Sequence, residues 1–341
     1  MWLDALPAKE ITPLDLTTSY LGLALRTPFV PGASPLTDDL GVVRQLEDAG
    51  AGAIVLRSLF EEQVVRAETG YLVGAPGYTM AEGLSFLPRA DPHALWPEEY
   101  LRQVARVKAA VSVPVIGSLN GTTRSGWLRY AALIEEAGAS ALELNVYHAL
   151  ADRGRSGAEI EEETIALVRV VRASVGIPVA VKLSPFWSNL ADLAARLEAA
   201  GANGLVLFNR FYQPDIDPEN LQVRRSLTLS SPAELPLRLR WIALLSAQLR
   251  GSLAASGGVH HAKDAVKCVL TGAHVVQVVS ALLLRGPGYL GELIAETVRW
   301  MEANEWESLS EMRGYMNLAR CHDPASYERV NYSLILQGSR S

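Results

Sequence analysis

The sequence predicts a (β/α)8 barrel with long βα-loop insertions and a C-terminal tail. Three observations point there. First, one unit recurs: a helical pattern runs into glycine and a short apolar strand follows, as in LEDAGAGAIVLRS (46–58), IEEAGASALELN (134–145), LEAAGANGLVLFN (197–209) and VLTGAHVVQVVS (269–280). Second, four more apolar runs bounded by Pro, Gly or Ser fall between these copies, which brings the strand count to eight. Third, no GxGxxG follows the first strand, which disfavours the open, doubly wound sheet as the alternative for alternating β and α elements.

Taken in order, the first strand is TPFVPGAS (27–34), followed by a helix over about 40–49 that stops at Gly50, a residue suited to a left-handed helix end. The second strand lies in AIVLRS and the next helix over 98–111. SVPVIGSLN (112–120) is the third strand, and a helix over 126–137 ends at Gly138 before the fourth strand, ALELN. Ile165, Val168, Val171 and Val175 form one stripe of a helix over 158–175. GIPVAVKLSP (176–185) is the fifth strand. Leu190, Leu193, Ala194 and Leu197 repeat the same spacing over 189–200, ahead of Gly201 and the sixth strand. A helix over 236–249, the seventh strand GSLAASGG (251–258), a helix over 262–271 ending at Gly272, the eighth strand and a helix over 290–302 complete the set. The strands are rich in Val, Leu and Ile, as a parallel sheet covered on both faces requires. Connections 59–97, 146–157 and 210–235 are too long for plain turns. All three follow strands, so a barrel places them on its C-terminal face, where lids sit. No linker or charge run divides the chain. It is expected to be one domain over 1–341, with a core of about 16–314 and a tail over 315–341 that packs across the barrel or into a partner subunit.

Composition narrows the function. Apolar residues are 49% of the chain and charged residues 20%, enough for a large core and too ordered a pattern for a disordered chain. With 31 basic against 37 acidic residues the net charge is −6, which argues against a nucleic-acid partner. Cys268 and Cys321 stand far apart, and the six histidines make no HExxH pattern, so no disulfide framework, metal or iron–sulfur centre is expected within the chain. The start MWLDALPAKEITPLDL shows no secretory leader. No apolar run of about 18 residues occurs, so no membrane partner and a cytoplasmic location are expected.

In this fold, sites are built where strands end. The polar residues there are Ser34; Arg57 and Ser58; Ser118 and Asn120; Asn145; Lys182 and Ser184; Asn209 and Arg210; Ser256; and Ser280. Lys182 interrupts an apolar strand and shares a face with Ala180 and Ser184. It could hold an anion, serve as a Schiff-base amine, or pair with Glu143 on the neighbouring strand. Gly257, Gly258, Ser280 and Ala281 follow strands seven and eight, where barrels commonly bind phosphate. Asn145 and Asn209 offer a donor and an acceptor each, suited to a heterocycle edge or to a loop start. His148 lies in a loop over the barrel mouth and could move a proton near neutral pH or simply pack there.

The segments TPFVPGASPL, VLRSLFEEQ, SLNG, LELNVYHAL, VAVKLSP, LFNRF, ASGGVHHAKDAVKCVLTGA and VVQVVSALLLRGP together resemble the dihydroorotate dehydrogenase family, in particular its divergent branch, from about Leu16 to Gly314. The resemblance implies a flavin-dependent barrel that carries FMN and oxidises dihydroorotate, or a related cyclic substrate, in pyrimidine biosynthesis. It implies that Ala33 and Ser34 line the flavin, that Asn120, Asn145 and Lys182 meet its polar edge, that Arg57 and Ser58 take the place of the family's second-strand lysine region, that Asn209 contacts flavin or substrate, and that Gly257, Gly258, Ser280 and Ala281 hold the phosphate. The family's Asn-x-Ser-Cys-Pro-Asn segment reads Asn145-Val146-Tyr147-His148-Ala149-Leu150, with His148 at the position of the base; Lys182 and His148 are thus the expected catalytic pair. A separate, soluble electron acceptor and a homodimer are implied by the same resemblance. Two alternatives stay open: an FMN-dependent reductase of another small heterocycle or enone, and a flavin-free lyase using Lys182 as its amine.

Overall fold

The computed structural model describes residues 14–69, 96–121, 128–146, 153–210, 213–224 and 227–327. The chain enters through an antiparallel hairpin, β1 (Thr18–Tyr20) and β2 (Leu23–Leu25), in which Ser19 pairs with Ala24. The barrel strands follow: β3 (Phe29–Pro31), β4 (Ile54–Val55), a short β5 (Leu59–Phe60), β6 (Val115–Asn120), β7 (Ala141–Asn145), β8 (Val179–Leu183) and β9 (Gly204–Leu207). After an outlying antiparallel pair, β10 (Asp215–Asp217) and β11 (Gln222–Arg224), come β12 (Ser252–Ser256) and β13 (Val275–Val278).

The main sheet runs β3-β13-β12-β9-β8-β7-β6-β4, parallel throughout, with β5 continuing the line of β4 along β6. Gly52 N donates to Phe29 O at 2.8 Å, between the two ends of that order, and draws the sheet into a ring. This is a (β/α)8 barrel, as the sequence predicts, and all eight expected strands are its staves. Helices Leu40–Asp48, Pro97–Ala110, Arg129–Glu136, Gly157–Ser174, Leu190–Ala199, Leu235–Leu245, Ala262–Thr271 and Tyr289–Ala303 fall within a few residues of the expected spans. Among the described residues no helix is long and apolar enough to cross a membrane.

Strand alternation sorts the core into two shells. Leu142, Leu144, Val179, Val181, Leu205 and Leu253 face outward and pack beneath the helices. Inside, one side chain from each of eight strands forms a layer: Val30, Val55, Ile116, Ala141, Ala180, Val206, Ala254 and Val275. Tyr20, Leu21 and Leu25 of the hairpin join that layer, so the N-terminal segment plugs the bottom of the barrel. Gly204 permits the close approach; a Cβ there would stand 2.7 Å from Leu21 Cδ2 and 2.6 Å from Ser252 O. The plug leaves the opposite, C-terminal rim as the open face.

Four elements exceed the sequence expectation. The hairpin β1–β2 turns at Leu21 and Gly22, both with positive φ, and a Leu-Gly turn gives no Asn-Gly signal to read. Connection 59–97 opens with a helix, Glu61–Thr69, and connection 210–235 carries β10–β11. A further helix, Ser280–Arg285, starts directly behind β13. The tail packs back on the outer helices: Gly314 N, Met316 N and Leu318 N donate to Val269 O, Leu270 O and Ala243 O, and Trp306 meets Tyr315 edge to face at 5.3 Å. The tail beyond residue 327, Tyr332 included, lies outside the described residues.

His274 ties this frame to pH. Its Nδ1 accepts from Leu253 N at 3.1 Å, which requires the neutral ring, and burial, reinforced by Arg313, lowers its pKa from 6.5 to about 4. The unfolded chain therefore binds the proton first on acidification, and the stability His274 confers is lost as pH falls from 6.5 toward 4. In urea titrations across that window the wild type is expected to lose stability more steeply than His274→Gln; equal slopes would show that this ring is not the group responsible.

Candidate active site

Above the apolar layer the same alternation turns polar. Ala141, Glu143 and Asn145 share one face of β7, Ala180 and Lys182 one face of β8, and Val275 and Gln277 one face of β13. Lys182 Nζ donates to Glu143 Oε1 at 3.1 Å and to Gln277 Oε1 at 2.9 Å, and Gln277 Nε2 donates to Glu143 Oε2 at 2.5 Å. The three are 5%, 0% and 1% exposed. An ammonium and a carboxylate so far from water are tolerated only when paired and hydrogen-bonded, and here the glutamine amide closes the triangle. Lys182 also lines the cleft above, which leaves its remaining N–H for whatever occupies that space.

A second cluster adjoins. Asn145 Nδ2 lies 3.0 Å from Ser58 Oγ and 2.8 Å from Ser118 Oγ, and the two hydroxyls are 2.7 Å apart. The Tyr100 hydroxyl accepts from Ser118 N and donates to Ser118 O, so a phenol from the covering helix pins this part of β6. Burial pushes the Tyr100 phenol well above its ordinary pKa, with the Glu143 carboxylate adding to the shift. Tyr20, from the plug below, is raised in the same way by burial and by Glu143.

The cleft itself runs from Lys182 and Gln277 at the barrel centre to the ends of β12 and β13. At its far end Gly257 and Gly258 carry φ of +88° and +84°, a left-handed pair that makes a tight turn on the cleft wall. A Cβ on Gly258 would stand 2.9 Å from Leu235 N, so the turn needs glycine for space as well as for φ. Ser230 and Ser280 share a hydrogen bond at 2.9 Å, and Gly258 N donates to Ser230 Oγ at 3.1 Å. His260 Nε2 contacts Ser230 O at 2.6 Å, and the Tyr289 hydroxyl donates to His260 O, fixing the turn from behind. Ser34 Oγ is buried on the cleft wall with no partner among the described residues.

Of the residues singled out in the sequence, Ala33, Ser34, Lys182, Asn209, Gly257, Gly258 and Ser280 line this one cleft. Asn145 and Ser58 form the adjoining cluster, and Asn120 stands beside Asn145 in register at the end of β6. Ala281 is fully buried behind Ser280. The Arg57 guanidinium pairs with Asp38 at 2.9 Å, and its backbone N donates to Thr37, so this side chain is directed to the loop after β3. His148 lies at 147–152, outside the described residues. The alternative reading of Lys182 as a partner of Glu143 is what the side chains do. Among the described residues no group of three His, Cys, Asp or Glu could hold a metal, and burial pushes the Cys268 thiol far up, which leaves it inert.

Three contributors were not singled out in the sequence. Gln277 was open to the same parity argument that selects Lys182, since it interrupts VVQVV. Arg238 was visible as a cation within the apolar helix LPLRLRWIALL. Ser230 had no local signal, because it sits in a long connection whose path only the tertiary structure defines.

A family model described as dihydroorotate dehydrogenase matches residues 95–301, more than half of the chain. A putative dihydroorotate dehydrogenase A (fumarate) of Aeropyrum pernix is 29% identical over 89% of this chain and 98% of its own length. The catalytic subunit of dihydroorotate dehydrogenase B (NAD(+)) of Methanothermobacter thermautotrophicus is 27% identical over 88% and 97%. The chloroplastic dihydropyrimidine dehydrogenase (NADP(+)) of Arabidopsis thaliana is 24% identical over 90% and 78%.

The buried triangle makes a measurable claim. Glu143→Ala strands the ammonium of Lys182 and the amide of Gln277, and breaking a buried pair in this way costs about 3–5 kcal/mol, to be read from denaturant unfolding. Glu143→Gln removes the same charge but keeps an acceptor for Lys182, and should cost less; equal losses would mean that the retained acceptor contributes nothing and the missing charge alone sets the cost.

Proposed function

The chain belongs to the dihydroorotate dehydrogenase family of oxidoreductases acting on CH–CH bonds, and from that premise we propose that it binds FMN in the cleft and oxidises dihydroorotate, or a closely related cyclic imide, to its unsaturated product. The carrying observation is the pairing of two unlike ends in one cleft: a hydrogen-bonded cation at the barrel centre and a left-handed glycine turn with two serine hydroxyls at the rim. The donor set fits FMN. Ser34 Oγ (buried without a partner among the described residues), Lys182 and Asn209 would meet the polar edge of the flavin, and Gly257, Gly258, Ser230 and Ser280 would hold its phosphate.

FMN, when bound, supplies the acceptor for a hydride, and the accompanying proton needs a base of the protein. Lys182 offers a fixed positive charge toward the cleft, held in place by Glu143 and Gln277 at no cost in reorganisation as negative charge grows nearby. Glu143 keeps that charge from drifting into the barrel, and the plug of Tyr20, Leu21 and Leu25 keeps water from reaching it from below. Asn145, oriented by Ser58 and Ser118, presents an amide edge beside it. His148, three residues past Asn145, is the proposed base; its ordinary pKa of about 6.5 suits proton removal near neutral pH.

A separate soluble acceptor takes the electrons in this reading, with a cytoplasmic homodimer as the working assembly and pyrimidine biosynthesis as its setting. A reductase of another heterocycle or enone is the second reading. It is favoured by one observation: the segment 145–150 reads NVYHAL where the family has Asn-x-Ser-Cys-Pro-Asn. The lyase reading is disfavoured by the pairing of Lys182.

Purified protein is expected to be yellow and to release FMN on denaturation, and anaerobic titration with dihydroorotate is expected to bleach the flavin. A bound flavin that stays oxidised with dihydroorotate and is re-formed from its reduced state by enones would select the second reading. His148→Ala is expected to keep FMN and to slow the reductive half-reaction by roughly 10²–10⁴-fold, the usual size of general-base catalysis. A wild-type rate would remove His148 from the mechanism.

A further inference from the structure

The charges behind the glycine turn carry an inference that rests on the FMN reading and deepens it. Arg238, on the helix Leu235–Leu245, is 6% exposed. Its Nε donates to Ser256 O at 3.1 Å and its Nη1 to Glu234 O at 2.8 Å. Its Nη2 lies 3.1 Å from where a Cβ on Gly257 would stand, so the guanidinium backs directly onto the turn. Nη2 is also 3.7 Å from Glu234 Oε2. That same oxygen is 2.6 Å from Arg210 Nη1. Arg210 in turn donates through Nη2 to Thr228 O, and its Nε is buried with no partner among the described residues.

Two guanidinium groups thus share one carboxylate. The other charges around the cleft are balanced among themselves: Lys182 against Glu143, and Asp264 against Lys267 at 4.0 Å, with Asp264 also accepting from His260 N and His261 N. Among the described residues one positive charge is left over, and both Arg210 and Arg238 line the cleft. Burying it is unfavourable, and Arg238 is accordingly lowered by burial and by its neighbour Arg210. Holding the turn by two backbone carbonyls would not by itself call for a second cation at the same carboxylate. An anion with two negative charges would, since charge-assisted contacts in a dry site are the strong ones.

We propose that Arg238 and Arg210, coupled through Glu234, are the electropositive backing of the phosphate subsite, and that their surplus charge makes the protein select a flavin with a terminal phosphate over the same flavin without one. Neither is a catalytic residue in this role. Both position and charge the turn through which the phosphate is held.

The test compares two ligands that differ only in the phosphate. Apoprotein is titrated with FMN and with riboflavin, and quenching of flavin fluorescence gives the ratio of the two Kd values. The wild type is expected to favour FMN. Arg238→Met should cut that ratio by about tenfold or more, the scale of one lost charge-assisted interaction, whereas Arg238→Lys should retain most of it. Glu234→Gln, which unmasks positive charge, should raise the ratio, and it keeps the test decisive if Arg238→Met fails to fold. A purely structural arginine would weaken both ligands together and leave the ratio unchanged in Arg238→Met and Glu234→Gln; that result overturns the inference and leaves the FMN reading standing. A wild type that binds neither flavin overturns the FMN reading, and this inference with it.

Discussion

The pair Lys182–Glu143 is the constraint on which the barrel's interior is organised. Neither charge can be buried alone, and their mutual attraction offsets desolvation only when the remaining donors and acceptors are met. Gln277, on the far side of the ring from β7, meets them with both ends of its amide. That closure requires β7, β8 and β13 to hold a fixed register, because a slip of one residue would turn all three side chains out into the helical layer. The ion pair thus depends on the ladder, and a ladder that slips must leave two charges unpaired among leucines.

The layers below and above follow from this. Small or branched apolar side chains fill the level beneath, and the hairpin carrying Tyr20 stops water from entering there. A low-dielectric floor strengthens every field that Lys182 projects toward the rim. The rim is polar: β6, β7 and β12 end in Asn120, Asn145 and Ser256, and Asn209 follows β9 two residues on. The described part of the tail, to residue 327, packs on the outer helices through Gly314, Met316 and Leu318.

The fold was legible because its signals are local and repeated. Gly50, Gly138, Gly201 and Gly272 end four helices with positive φ, as their spacing before apolar strands implied. Lys182 was legible for a similar reason, since a lysine in VAVKL violates the strand's own pattern. Its partner Glu143 was legible from parity on the next strand. What escaped was non-local. The Leu21-Gly22 turn has no hairpin signature, and the plug is recognisable only once eight strands converge on it. Ser230 reaches Ser280 across 50 residues of chain, a distance no spacing rule spans. At Arg57 the strand-end position was legible, whereas its pairing with Asp38 on the preceding loop was not.

The two ends of the cleft differ in a way that dictates how a ligand must lie. At the barrel centre the charges cancel, so what Lys182 presents is an oriented donor within a neutral triad, best matched by a polar ring edge that gains negative character only during reaction. At the rim, among the described residues, Arg210 and Arg238 share the one carboxylate of Glu234. A ligand with one neutral heteroaromatic end and one anionic end is held in a single orientation by this contrast, since reversing it would set a dianion against Glu143 and leave the two arginines facing an uncharged ring. Ser230 and Ser280 bond to each other across that rim, so a phosphate entering there replaces one hydroxyl pair with two charge-assisted bonds, and the exchange favours the anion over water.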